Sequence, residues 1–367
     1  MRRFSLCLSL ASVAFVLACP PPIAGEGEGE GEGEGEGEGE GEGEGDVDGF
    51  VYVEVAGSVC GNGSVAGIGV DDVVGSDSLV VFFNGGGACW DAATCFGLNA
   101  AAHLSTTYSA DVLAADVAPL VQSGLTSRTD DENPFRDATI AFLPYCTGDL
   151  HAGSAVRSYE VDLLGNRRDV HHQGRTNAGV FLDVLAARAV DVDTVYVVGA
   201  SAGGYGAVLN EDLVRDAFPD AAVHVLADGS AFIPPLNGQY GLWQNQWQMA
   251  LPAGCAACTT DFSQVWATRR TAHPESRYAL LTSLDDETIR FYFGYGLDSP
   301  RMVGAVNAVV DAEHDAANSK AFVVDGTRHV LLTSFTSFSG VGGVPLRTWI
   351  GQWASGDAAW GTLRPAR

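Results

Sequence analysis

Lysine is almost missing from this chain. Its 367 residues include a single one, Lys320, and no run of basic residues. A chain so poor in clustered cations is not built to hold a phosphate backbone, so nucleic acid is excluded as a partner. Beyond the N-terminal segment there is no stretch of eighteen apolar residues, so no membrane-spanning helix is expected. The single C-x-x-C has no second copy, which argues against a zinc knuckle. The pattern G-x-G-x-x-G cannot be laid on the glycines around Ser201, which argues against a dinucleotide loop there. Acid is what is plentiful: 46 Asp and Glu against 20 Lys and Arg give a net charge of −26. Ten of those acids lie in the repeat from Gly25 to Glu44. Setting them aside with Asp46, Asp48, Arg2 and Arg3 leaves 34 acids against 18 bases, a body of charge −16. With 46% hydrophobic residues, that body of about 320 residues has ample material for a core.

The N-terminus reads as an address. Met1-Arg2-Arg3 precedes an apolar run from Phe4 to Leu17 that is too short to span a bilayer. Val16-Leu17-Ala18-Cys19 resembles a bacterial lipobox, where cleavage precedes a lipidated cysteine. Residues 1–18 are therefore expected to be a signal peptide. Residues 19–48, with Pro20-Pro21-Pro22 and ten Gly-Glu pairs, are expected to be a solvated tether behind a lipidated Cys19. Residues 49–367 are left as one catalytic domain. The expected location is the bacterial cell envelope, with membrane contact through Cys19 only. Export into an oxidising compartment makes six cysteines read as disulfides. Proximity suggests Cys89–Cys95 and Cys255–Cys258, leaving Cys60–Cys146. A redox or metal role for Cys255-Ala-Ala-Cys258 is the sharper alternative.

Six short β-branched runs are apolar on both faces, as buried parallel strands are: Leu79 to Phe83, Ala138 to Leu143, Thr194 to Val198, Val223 to Ala227, Tyr278 to Thr282 and Ala321 to Val324. Helical spacing lies between them, over Asn177 to Ala189 and Gly203 to Phe218. Strand–helix alternation predicts an α/β fold with a mostly parallel central sheet flanked by helices. The irregular stretch from Pro234 to Arg277, with Trp243, Trp247 and Trp266, is expected to be a loop-rich insertion or lid.

The run Val195 to Val198 leads straight into Gly199-Ala200-Ser201-Ala202-Gly203-Gly204. This is G-x-S-x-G at a strand-to-helix junction, where a nucleophilic serine needs tiny neighbours two residues away on each side. A base and an orienting carboxylate should follow in chain order after later strands. His329 alone among the four downstream histidines sits just past a terminal strand. His224 reads as a sheet histidine, His273 as a loop residue and His314 as part of a solvated helix face. Asp285, nearest the end of its strand, is the expected acid, with Asp286 as its rival. An oxyanion needs preorganised N–H donors. Ala202 supplies one, and the turn Asn84-Gly85-Gly86-Gly87 after an early strand is placed to supply the others from Gly85 and Gly86.

Together these pieces resemble the pectin acetylesterase and Notum family of carboxylesterases. Asn84-Gly85-Gly86-Gly87-Ala88-Cys89 looks like the family's E-G-G-G-W-C turn, and Leu143-Pro144-Tyr145-Cys146-Thr147-Gly148-Asp149 its Y-C motif. Gly199 to Gly204 looks like G-S-S-A-G-G. The resemblance aligns Asp285 with the family's acid and His329 with its histidine, and it extends to Leu226-Ala227-Asp228. Asn84 in place of Glu and Ala88 in place of Trp are departures at the mouth of the pocket. The resemblance implies an α/β-hydrolase-like fold and a serine esterase acting on an acylated carbohydrate or a small ester; the serine mechanism needs no cofactor or metal, and a monomer is expected. The −16 body weighs against polygalacturonate, although salt screens charge beyond about 8–10 Å. The alternatives are a non-catalytic glycan-binding lipoprotein stacking sugars on the Trp segment, and a lipase or peptidase using the same serine.

Overall fold

The computed structural model describes residues 46–47, 49–188 and 192–366. The expected signal peptide, Cys19 and the Gly-Glu repeat lie outside the described residues. In chain order the elements are β1 (Asp46–Val47), β2 (Phe50–Glu54), β3 (Gly67–Asp71), β4 (Ser78–Phe83), α1 (Ala110–Ser123), β5 (Thr139–Leu143), β6 (Ala155–Glu160), β7 (Arg167–His172), α2 (Gly174–Arg188), β8 (Thr194–Ala200), α3 (Ala202–Leu209), α4 (Glu211–Ala217) and β9 (Ala222–Asp228). They continue through α5 (Gln239–Trp247), α6 (Gln264–Ala272), β10 (Tyr278–Ser283), α7 (Glu287–Tyr292), α8 (Ser299–Glu313), β11 (Ser319–Val324) and α9 (Leu346–Ser355).

One nine-stranded sheet runs β1-β2-β3-β5-β4-β8-β9-β10-β11. From β5 to β11 the strands are parallel, and β1, β2 and β3 join antiparallel at one edge. The six parallel strands are those the apolar runs predict, because strands buried on both faces carry no polar alternation. The edge strands were not legible, since Gly67-Ile68-Gly69-Val70 carries two glycines, and β1 uses Asp46–Val47 from the expected tether. The expected boundary at residue 48 therefore falls inside a strand pair. β6 and β7 form a separate hairpin. From β4 the chain moves to β5 on one side and to β8 on the other, so the strand order diverges between β4 and β8. A crevice at such a divergence, at the carboxyl ends of the strands, is where open α/β sheets take ligands.

Three expectations about the helices change. The predicted helix from Gly203 to Phe218 is two, broken at Asn210, whose side-chain amide donates to the His151 carbonyl at 2.9 Å and to Gly206 at 2.8 Å. The stretch Pro234 to Arg277 is no loose lid: Trp243, Trp247 and Trp266 are fully buried. They pack in an aromatic cluster in which Phe232 and Phe262 lie 4.7 Å apart and Trp243 and Phe293 5.1 Å apart. His314 is not on a solvated face but buried against Trp266, with burial lowering it to about 3, so it is neutral. Disulfides join Cys60–Cys146, Cys89–Cys95 and Cys255–Cys258, the pairing suggested by proximity.

Candidate active site

Ser201 sits between β8 and α3 with φ 57° and ψ −125°, a region that non-glycine residues rarely occupy. The strain is held by its surroundings. The Ser201 N–H donates to the Asp228 carbonyl at 2.7 Å, and its carbonyl accepts from the Ser230 hydroxyl at 2.6 Å. The small neighbours are steric necessities: a Cβ on Gly199 would lie 2.1 Å from the Gly203 carbonyl oxygen, and one on Gly203 1.9 Å from that of Phe83.

The Ser201 Oγ lies 2.7 Å from His329 Nε2. His329 Nδ1 lies 2.7 Å from Asp286 Oδ2. The acid on His329 is thus Asp286, and the expectation of Asp285 is corrected. Asp286 is fully buried and is the N-cap of α7, its Oδ1 accepting from the N–H groups of Thr288 and Ile289 at 3.0 Å each. One oxygen anchors the helix while the other orients the imidazole. Asp285 is otherwise engaged: both its oxygens lie 2.8 Å from Arg290 Nη1, and Ser299 donates to it at 2.7 Å. The misreading has a physical source. β10 continues through Ser283, so nearness to the strand end did not single out the right carboxylate, whereas the capping position ahead of Glu287-Thr288-Ile289 did carry a signal.

The turn after β4 lies against the nucleophile, since a Cβ on Gly85 would come within 2.8 Å of the Ser201 Cβ. Three of its carbonyls are taken by the protein. His151 Nε2–H donates to Asn84 at 2.9 Å, Ala102 N–H to Gly86 at 2.7 Å and the Tyr145 hydroxyl to Gly87 at 2.8 Å. Burial lowers His151 to about 4, so it is neutral and a single tautomer serves. The N–H groups of Gly85, Gly86 and Ala202 meet no protein acceptor among the described residues. The structure thus brings the serine, the histidine and the three expected oxyanion donors to one place, together with Asp286.

Beneath His329 lies Asp228. Its buried Oδ2 accepts from the N–H groups of Leu331 at 2.8 Å and Leu332 at 2.7 Å, which ties down the loop that follows the histidine. Burial raises this carboxyl to about 7, outweighing those hydrogen bonds. Neither His151 nor Asp228 was assigned a task from sequence. Cys89, Cys95 and His172 are gathered closely enough to hold a metal, but the two sulfurs are bonded to each other. Both His172 nitrogens are taken, by the Thr147 carbonyl and the Tyr159 hydroxyl. The Trp segment, being buried, offers no stacking surface for sugars.

Two cavities open on Ser201. One, of about 330 Å³, is lined by Asn84, Gly86, Asp116, Ser201, Tyr292 and His329 among others. The second holds only about 20 Å³ and is walled by Ala88, Leu150, Tyr205, Trp243, Ile289 and Phe293.

Comparison with known proteins bears on the fold and the family. The chain is similar to the palmitoleoyl-protein carboxylesterase notum1 of Xenopus laevis, with 27% identity over 190 residues, 49% of this chain and 36% of that protein. It is similar also to pectin acetylesterase 5 of Arabidopsis thaliana, with 28% identity over 182 residues, 48% of this chain and 40% of that protein. The chain thus spans little more than a third of the length of these relatives. The solved structure of the Wnt deacylase Notum from Drosophila superposes with a TM-score of 0.66 at 19% identity, covering 88% of this chain and 97% of that one, which establishes the fold. The family model for pectinacetylesterase matches residues 46–248, more than half of the chain, and on that match the chain belongs to the pectinacetylesterase family.

Proposed function

We propose that the protein is a serine carboxylesterase that removes short acyl groups, acetyl above all, from a hydroxyl-bearing substrate. The observation that carries this reading is the unbroken hydrogen-bonded chain from Ser201 through His329 to Asp286. Ser201 Oγ attacks the ester carbonyl while His329 Nε2 takes its proton. Asp286 holds the tautomer with Nδ1–H and stabilises the imidazolium. The N–H groups of Gly85, Gly86 and Ala202 meet the oxyanion. His329 then returns the proton to the departing alcohol, and water clears the acyl-enzyme by the same steps. This sequence calls on no cofactor.

The preference for acetyl rests on the smaller cavity. The leaving alcohol must lie where His329 can protonate it, and His329 lines the larger cavity but not the smaller. The acyl group therefore takes the smaller one, whose volume of about 20 Å³ suits a single small group. A long-chain lipase would need far more. On purified chain, kcat/KM is expected to fall at least about tenfold from p-nitrophenyl acetate to the octanoate, and Ser201→Ala to lose several orders of magnitude. A flat chain-length profile would remove the acetyl reading, and a fully active Ser201→Ala the esterase itself.

The same reading makes the protein an exported bacterial lipoprotein, with Cys19 as anchor and the Gly-Glu repeat as spacer. Its check is fractionation of producing cells: Cys19→Ser should move the chain from the membrane to the soluble exported fraction.

A further inference from the structure

We infer that the larger cavity selects an uncharged, hydroxyl-bearing alcohol over an anionic one, and that Asp116 is the residue that makes the selection. The inference rests on the esterase reading above and deepens it. The alcohol leaves on the His329 side, so its recognition falls to that cavity. Apart from the imidazole of His329 and the neutral phenol of Tyr292, Asp116 is the one ionisable side chain in its lining, and neither Lys nor Arg is present there. The nearest cations in sequence are committed elsewhere. Arg290 holds Asp285, while Arg328 donates to Ser334 and lies over the Phe338 ring.

Asp116 projects from α1 and is fixed in place. Its Oδ2 accepts from the Tyr108 hydroxyl and the Asn84 side-chain amide, both at 2.9 Å, and its Oδ1 lies 3.1 Å from His103 Nε2. Three of the roughly four acceptor positions of a carboxylate are then in use, and one remains for a substrate hydroxyl. The donor Asn84 stands where the family pattern has Glu. A second carboxylate at that position would repel Asp116, whereas the amide binds it, so the departure at 84 and the acid at 116 form one arrangement. A uronate brought against this wall meets a fixed like charge and no guanidinium fork to hold it. A neutral sugar hydroxyl meets an acceptor.

The test uses the purified chain and two acetylated polymers, xylan as the uncharged ester and polygalacturonate as the anionic one. The expected kcat/KM ratio favours xylan by about tenfold or more. Asp116→Asn, which keeps an acceptor for Tyr108 and lets His103 switch tautomer, should cut that ratio about tenfold through the KM for the uronate ester. A measurement on the unaltered chain covers a variant that fails to fold: xylobiose should inhibit hydrolysis of p-nitrophenyl acetate at lower concentration than digalacturonate does. Equal ratios before and after substitution, or stronger inhibition by digalacturonate, would overturn the inference. Failure of the chain to hydrolyse p-nitrophenyl acetate at all would instead bring down the esterase reading beneath it.

Discussion

The turn after β4 and the loops after β10 and β11 face each other across Ser201, and they are held by different chemistry. On the oxyanion side the partners of the backbone carbonyls are uncharged: a neutral His151, the Tyr145 hydroxyl and the Ala102 N–H bind those of Asn84, Gly87 and Gly86, and Trp247 donates to the Cys89 carbonyl at 2.8 Å. The Cys89–Cys95 disulfide closes that segment covalently. On the proton-transfer side the anchors are buried carboxyls, with Asp286 on His329 and α7, and Asp228 on Leu331 and Leu332. One wall should therefore respond to reductant and the other to pH. The division suits the proposed tasks: an oxyanion hole works by staying put, while a proton relay needs groups whose charge matters.

The sharpest way to break this contrast is at the carboxylates. Asp286→Asn is expected to lower kcat by about 10⁴, because the imidazole loses its orienting acceptor. Asp285→Asn, at a carboxylate bound by Arg290 and Ser299, should cost less than about tenfold. Steady-state rates on p-nitrophenyl acetate separate the two, and equal losses would mean that the acid has been misplaced.

A smaller effect sharpens the contrast by setting one wall against the other. Replacing Cys89 and Cys95 by Ser should cost about 2 kcal/mol in chemical unfolding, as expected for so short a closed loop, without moving the pH profile. Asp228→Asn should do the reverse. With its carboxyl raised to about 7 in the folded protein, above the ordinary unfolded value near 4, the native state binds more protons across that interval. The stability Asp228 contributes is thus complete below about pH 4 and is lost as pH rises through about 7. The variant should flatten that slope and leave the rate nearly unchanged. A slope that persists in Asp228→Asn would assign it to another group.

Much of this arrangement was legible from residues alone, and the reasons are specific. The six parallel strands announced themselves because burial on both faces forces continuous apolar runs. Ser201 and its glycines were legible because the elbow allows nothing larger at 199 and 203. His329 followed from the order of strands. What sequence hid was side-chain direction. Two adjacent carboxylates differ by a rotation that no composition records, and only the capping geometry of α7 separates Asp286 from Asp285. The antiparallel edge was hidden by its glycines, and the buried state of Trp243, Trp247 and His314 by the irregular chain around them. Asp116 carried no local pattern at all, since its partners Asn84 and Tyr108 come from other segments.

The helix α1 places Asp116, Pro119 and Leu120 together along the larger cavity, at the i, i+3 and i+4 spacing of a single helix face. None of the groups proposed to react rides on that helix: Ser201, Asp286, His329 and the N–H groups of Gly85, Gly86 and Ala202 lie in the turns and helix starts that follow β4, β8, β10 and β11. On the proposed reading, alcohol recognition can therefore drift through Asp116, Pro119 and Leu120 within the fourteen residues of α1, and the one residue of the acyl-transfer turn that must change with them is Asn84, which binds Asp116.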